Sequence, residues 1–446
     1  MNVPLTPLRF LRHAEHHFGC RTAVVCGAHR FTYAEFGDRA ARLGGALVRL
    51  GARPGDRVAF LSGNCHRLLE AYYGVLEAGA VLLPVNVRLR PAELAFILND
   101  SEASILLCQP ELMALAAEVR SRAPGLRAIV PLDGTGESYE SLLQAAQPLR
   151  RDVMEVDENA VAELFYTSGT SADPKGVMLS HRNIYLHALN VAISFEAPAQ
   201  PVHLHTIPLF HANGWGTAHT VTLAGGKHVM ISRYDCGELL TLIEAEGVKS
   251  FSLVPAMALA LLNSEHLGRH DLRSLQWISM GGAASWPSLL KAMERAFGCS
   301  CFSGYGLTET SPVVALSRSE LGEERAEGAR YEFQASTGTA ILGSELRVVD
   351  SSDHDVPPDG ATVGEIIARG DGIMSGYWKQ PQATAEAMRG GWFHTGDLAV
   401  VKPEGHLLIV DRKKDIIISG GENVSSLEVE RALVEHPAVG EAAVIA

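Results

Sequence analysis

The sequence predicts an α/β protein: two βαβ-type sheet subdomains plus a small β-barrel subdomain, followed by a partial α+β C-terminal domain. Three observations carry this. Strand-length apolar runs alternate with helix-length segments over residues 8–108 and again over 162–282, the rhythm of right-handed βαβ crossovers and a largely parallel sheet. From Ala335 to Val410 short β runs alternate with Gly, Pro and Asp turns, as in a small antiparallel barrel or sheet. Residues 411–446 read as strand, helix and strand.

Residues 8–50 begin with a helix. Val24-Val25-Cys26 and Arg30-Phe31-Thr32-Tyr33 are short strands about a turn at Gly27, and Thr32-Tyr33-Ala34-Glu35 has capping-box spacing for a helix to Leu50. After a turn at 51–56, Arg57–Leu61 is a buried strand, His66 to Gly79 a helix, Val81–Val85 a strand, and Pro91 opens another helix. Ser104–Cys108 closes the unit. Ala162–Tyr166 is a strand before a glycine-rich loop, with a helix from Ser180 to Val191 after it. Strands follow at Val202–Pro208, His228–Ile231, Lys249–Val254 and Leu275–Met280, with helices at Cys236–Glu246 and Pro255–Ser264. In the β-rich part, Glu345–Val349 and Gly364–Ala368 are strands and 356–360 a turn. At the end, Asp415–Ser419 is a strand, Ser426–Glu435 a helix and Gly440–Ala446 a second strand. A fragment this short cannot bury its own core, so it either packs on the main body or begins a larger domain.

Composition narrows the function classes. A chain of 446 residues makes two to four structural units at about 100–200 residues each. With 38 Lys and Arg against 51 Asp and Glu the net charge is −13, which argues against wrapping nucleic acid or coating an anionic membrane. The seven cysteines are scattered and fit neither a zinc site nor a disulfide framework. The first residues lack a signal-peptide pattern and no run reaches a membrane-spanning length, so a cytoplasmic protein with no transmembrane segment is expected. The oligomeric state stays open, a homodimer included.

Three segments carry chemistry. The first is Tyr166-Thr167-Ser168-Gly169-Thr170-Ser171-Ala172-Asp173-Pro174-Lys175-Gly176, with five hydroxyls and two glycines in eleven residues. Clustered backbone N–H and hydroxyl donors cradle polyphosphate oxygens, and a lysine adds a compact positive charge. It departs from the common P-loop spacing; Gly225-Gly226-Lys227 also fails that pattern, because His228 follows and Val221 replaces the first glycine. The second is Gly304-Tyr305-Gly306-Leu307-Thr308-Glu309-Thr310. There an aromatic ring beside glycines can face a purine, Thr308 can donate to a phosphate, and Glu309 can hold a divalent cation. The third is Thr395-Gly396-Asp397 with Asp411-Arg412 beyond it, where an acidic side chain after a strand can accept both hydroxyls of a ribose. Taken singly, the first also fits a polar surface loop, the second a turn with a capping residue, and the third a common turn.

In this order, together with Gly364-Glu365-Ile366, Gly376-Tyr377-Trp378 and Asp411-Arg412-Lys413-Lys414-Asp415, the segments resemble the adenylate-forming (AMP-binding) superfamily, and most of all the bacterial medium- and long-chain fatty acyl-CoA ligases. The resemblance covers essentially the whole chain, with Ala172 standing where the family loop usually has glycine. It implies ATP, Mg²⁺ and coenzyme A, and a small-molecule carboxylic acid as substrate. It casts Lys175, Thr308 and Glu309 as catalytic, with Glu309 the magnesium ligand. Thr167, Ser168, Gly169, Thr170 and Ser171 would line the pyrophosphate side; Gly281, Gly282 and Ala283 would lie along the adenine and acyl chain. Ser303, Gly304, Tyr305 and Gly306 would flank the adenine, with Asp397 on the ribose and Arg412 a second nucleotide contact. Pro208–Trp215 is similar to the acyl-pocket segment, with His211 at its mouth and Trp215 where fatty acyl-CoA synthetases carry a gating aromatic.

The implied reaction is attack of a carboxylate on the α-phosphorus of ATP, then attack of a thiol on the acyl-adenylate. The implied organisation is a large domain over 1–410, a hinge at 411–416, and the start of a truncated C-terminal domain over 417–446. No lysine follows Lys414, and the family's closing lysine pattern is absent, so slow adenylation is expected of this polypeptide. Gly420-Gly421-Glu422-Asn423 resembles the loop that turns toward the thiol channel. Two alternatives stand: a ligase passing the acyl group to a carrier protein or amine, and a nucleotide-binding protein without turnover.

Overall fold

The computed structural model describes residues 2–134, 136–167, 174–196, 200–318, 326–413, 415, 417–419, 422–434, 439 and 442–444. The chain divides into two compact units, one of residues 1–234, 308–312 and 374–381, the other of 235–307, 313–373 and 382–446.

In the first unit a seven-stranded sheet runs in the order Gly376–Tyr377, Lys175–Ser180, Val161–Thr167, Val81–Val85, Arg57–Leu61, Ala103–Cys108, Ala128–Pro131. The last five strands are parallel, and the first three pair antiparallel. All residues of Val81–Val85 and Ala103–Cys108 are buried, as strands covered on both faces must be. Val202–His205, Lys227–Met230 and Thr22–Cys26 are also parallel, and His29–Thr32 hairpins onto the last of them. The predicted capping box is present: Thr32 Oγ1 accepts from Glu35 N–H and Glu35 accepts from Thr32 N–H. Tyr33, expected at a strand end, is the first residue of the helix Tyr33–Arg49.

In the second unit Ser250–Leu253, Trp277–Met280 and Ser300–Gly306 are parallel, and Val313–Leu316 and Thr339–Ala340 add antiparallel strands. The β-rich part is a four-stranded antiparallel sheet in the order Ser344–Val349, Gly364–Gly370, Phe393–Val401, Leu407–Arg412. Val348, Val356, Ile366, Ala399 and Leu407 form its core. The helices Cys236–Glu246 and Pro255–Leu262 fall where the pattern places them.

Three local expectations differ from the structure. Between the glycine-rich loop and the helix expected from Ser180 lies an unexpected strand. Lys175–Ser180 is a strand that hairpins onto Val161–Thr167, because Val177 and Leu179 are buried, and the helix His181–Ser194 starts only after the Ser180 cap. Gly304-Tyr305-Gly306 ends a seven-residue strand rather than making a turn, and a 3-10 turn follows at Thr308–Thr310. The closing segment is a hairpin, Ile417–Ser419 with Glu422–Val424, and then the helix Ser426–Val434. Residues 442–444 form no strand. Gly420 and Gly421, between the two strands, and residues 440, 441, 445 and 446 of the expected last strand lie outside the described residues.

Candidate functional site

The predicted residues fall into two groups, one in each unit. In the first unit, Thr167 pairs with Lys175 across the hairpin; Ser168, Gly169, Thr170 and Ser171 lie outside the described residues. Lys175 Nζ stands 5.0 Å over the Tyr377 ring, a cation–π placement. The Tyr377 hydroxyl donates to Glu309 Oε1 at 2.9 Å. Burial, and then the Glu309 charge, push that hydroxyl's pKa up, so it stays a donor. Tyr377 is delivered by a two-residue strand paired with Lys175–Ser180, while Trp378 N–H donates to Gly176 O and Met374 N–H to Glu309 O. Lys175 and Glu309 thus meet through Tyr377, which the sequence reading quoted only as part of a motif. Thr308 opens the 3-10 turn beside Glu309 and is half-buried.

His211 is exposed, with its ring against Phe210, and Trp215 is half-buried. Between and after them the backbone is unusual. Ala212, Asn213, Gly214, Trp215 and Gly216 have φ of 38, 47, 64, 60 and 85°, a complete left-handed turn.

In the second unit a cleft of about 1920 Å³ is lined by Gly282, Ala283, Ser303, Gly304, Tyr305, Gly306, Asp397 and Arg412, among others. Gly281 is buried, its N–H donating to Leu253 O. The Tyr305 hydroxyl donates to Asp397 Oδ2 at 2.7 Å and Arg412 Nε to Asp397 Oδ1 at 3.1 Å. Asp397 is only 4% exposed. Burial raises its pKa, against the pull of Tyr305 and Arg412. Each carboxylate oxygen therefore has one protein donor and keeps capacity for another.

Thr395-Gly396-Asp397 is not a turn but a bulge inside the strand Phe393–Val401, where Glu365 pairs with Leu398 and Ile367 with His394. Gly396 supplies the φ of +74° that the bulge needs. Glu365 Oε1 accepts from Gly396 N–H at 3.1 Å, and Lys413 N–H donates to Gly396 O at 2.9 Å. Burial would raise the pKa of Glu365, but Lys413, His394 and the Gly396 N–H bring it below the usual carboxylate range. Ser285 and Ser303 also line the cleft, and their hydroxyls are buried without a hydrogen-bond partner among the described residues, which is unusual unless a ligand completes them. Ser285 was missed, since a lone serine carries no pattern.

The AMP-binding enzyme family matches residues 10–378. A long-chain-fatty-acid–CoA ligase of Thermus thermophilus is 40% identical over all of this chain and 84% of its own length. A peroxisomal butyrate–CoA ligase of Arabidopsis thaliana is 37% identical over all of this chain and 81% of its own. The structure of an anthranilate CoA ligase in complex with anthranoyl-AMP superimposes with a TM-score of 0.91 at 25% identity, covering 100% of this chain and 84% of that one. The chain belongs to the AMP-binding enzyme family. Within it, the protein is an acyl-CoA synthetase, an acid–thiol ligase that uses ATP and coenzyme A and forms AMP. Among the described residues no helix is long and apolar enough to cross a membrane.

Proposed function

We propose that the enzyme activates a medium- or long-chain fatty acid, and that the cleft holding Tyr305 and Asp397 takes the nucleoside of ATP. The observation that carries the nucleotide reading is Asp397, buried at the cleft wall, with one donor on each oxygen among the described residues and acceptor capacity left on each that a ribose hydroxyl would use. Tyr305 beside it offers a ring face to the purine. For the acid, support comes from the 40% identity to the Thermus long-chain ligase; the 37% identity to a butyrate ligase favours a shorter acid as the second reading.

A carboxylate oxygen of the acid attacks the α-phosphorus, the bond to the bridging oxygen breaks, and pyrophosphate leaves with the electron pair. Two anions must approach, so fixed positive charge and donors lower the barrier most. Lys175, Thr308 and the hydroxyl-rich loop would supply them. Glu309 offers a hard carboxylate oxygen of the kind Mg²⁺ takes, already oriented by Tyr377; that ion would neutralise phosphate charge when bound. In the second half, the thiolate sulfur of coenzyme A attacks the acyl carbon and AMP leaves. His211 and Trp215 would border the acid. The cytoplasm is the location proposed, which the seven unpaired cysteines fit.

The test is pyrophosphate release across straight-chain acids from butyrate to palmitate, with and without coenzyme A. Release rising with chain length, and acyl-CoA formed only with coenzyme A, would support the reading. A peak at butyrate would select the shorter acid, and trapping only by a carrier protein or amine would replace the acceptor.

A further inference from the structure

The left-handed turn at 212–216 needs an explanation that local sequence does not supply. Three of its five residues, Ala212, Asn213 and Trp215, carry side chains and occupy a region that L-residues avoid as a run. The turn persists because buried groups hold it. Glu163, on the strand Val161–Thr167, is 0% exposed. Its Oε2 accepts from Asn213 Nδ2 at 3.0 Å, and its Oε1 lies 2.6 Å from His219 Nε2, which donates to it. Asn213 Oδ1 in turn accepts from Gly216 N–H at 2.7 Å, and Thr217 Oγ1 donates to Gly214 O at 2.7 Å. The His219 ring is fixed edge-on to Tyr72 and Tyr73. Just upstream, Tyr72 OH donates to Leu209 O, and Asn64 bonds to His205 O, Ile207 O and Leu209 N–H. The segment's backbone is tied down at both ends by side chains that solvent cannot reach.

We infer that Glu163 is a positioning residue: through Asn213 and His219 it locks the left-handed turn that aims Trp215, and so sets the shape of the acid site without touching the acid. This rests on the reading above that 208–215 borders the acid. A mobile lid would have exposed, weakly held backbone. This segment's backbone has the reverse, so any gating movement at Trp215 is left to its side chain.

Two variants test it. Glu163→Gln has one acceptor oxygen where two donors converge. Asn213→Gly keeps a residue that tolerates φ near 47° and deletes both side-chain bonds, so it remains informative if the first variant does not fold. Amide exchange at 212–216 should become about tenfold faster or more in Glu163→Gln and in Asn213→Gly, as expected when a local opening loses its lock. The ratio of kcat/KM between a short and a long straight-chain acid should shift about tenfold, while the KM for ATP stays within about twofold. Unchanged exchange in the folded Asn213→Gly protein would overturn the lock. Faster exchange with an unchanged acid preference would overturn the role in selectivity. If the wild-type protein releases pyrophosphate with no acid at all, the substrate reading fails instead, and the exchange experiment still decides whether Glu163 holds the turn.

Discussion

Lowering the pH from 7.5 to 5 should destabilise the first unit steeply, because it buries neutral histidines. His203 and His228 are pushed down to about 3 by burial, and His181 to about 4. His205 moves the same way. The His205 and His228 rings bond to each other at 2.9 Å, His228 to Thr222 at 3.0 Å, and His181 to Thr6 at 3.0 Å. In the unfolded chain each would titrate near 6.5. Between that value and the folded one the unfolded state holds more protons, so stability falls as pH falls. At pH 5 the difference is about 1.5 pH units per histidine, or about 2 kcal/mol. For the three with values that is about 6 kcal/mol, a large part of a domain's usual 5–15 kcal/mol. His66 works the other way. Burial alone would lower it, but Cys26, Glu140 and Glu70 hold it at about 9, so its contribution is complete below pH 6.5 and is lost as pH rises through 9. The two effects cancel to within about 1 kcal/mol between pH 7.5 and 6.5; below that only the loss continues. The net fall of about 5 kcal/mol corresponds to about 10–20 °C in Tm for a unit of this size. Thermal unfolding at constant ionic strength, at half-unit steps from pH 7.5 to 5, measures it, and His203→Gln should remove about a quarter of the slope, one of four such histidines. A Tm that stays level from pH 6.5 to 5 would refute the buried neutral histidines.

Three further outcomes follow from the site. Asp397→Asn removes the charge that Tyr305 and Arg412 address; the KM for ATP should rise about ten- to a hundredfold, with Tm nearly unchanged, measured by pyrophosphate release and thermal unfolding. Tyr377→Phe deletes the donor to Glu309 but keeps the ring under Lys175. It should lower kcat about tenfold and raise the Mg²⁺ needed for half-maximal ATP binding in calorimetry, and Tyr377→Leu should be worse in both. Gly396→Ala introduces a Cβ that meets nothing within 4 Å, at a φ of +74°. The cost should be backbone strain alone, about 1–2 kcal/mol, read by urea unfolding.

The strand and helix rhythm of both units was legible because its signals are local: an uninterrupted apolar run such as Val81–Val85, a capping box such as Thr32 to Glu35. Lys175, Glu309, Tyr305 and Asp397 were legible as candidates because their neighbours in sequence carry the motif. What escaped depends on contacts distant in sequence. Tyr377 becomes a site residue only because Glu309 accepts its hydroxyl from 68 residues away. Glu163 looks like an ordinary polar residue in a strand, and period-two alternation would turn it to solvent. It is buried because His219, 56 residues on, and Asn213, 50 residues on, fold back over it.

The two units solve one problem in the same way. Each presents a proposed site residue from backbone that its own residues do not favour: Trp215 from a left-handed turn, Asp397 from a bulge that needs Gly396 at positive φ. In each, a buried glutamate on a neighbouring strand accepts from a group in the irregular segment: Glu163 from the Asn213 side chain, Glu365 from the Gly396 N–H. A carboxylate suits this task because it accepts several charge-assisted bonds at once, so one side chain fixes both the irregular backbone and its surroundings. The surroundings differ, however. Glu163 and its partners Asn213 and His219 are all buried, whereas Glu365 lies within reach of Lys413 and Arg389, both exposed. Added salt therefore screens the second set of contacts and leaves the first nearly untouched. ATP binding should weaken with ionic strength in part through a looser Gly396 bulge, and acid selectivity should not. A Glu365→Gln variant whose ATP affinity keeps the full wild-type salt dependence would break that link.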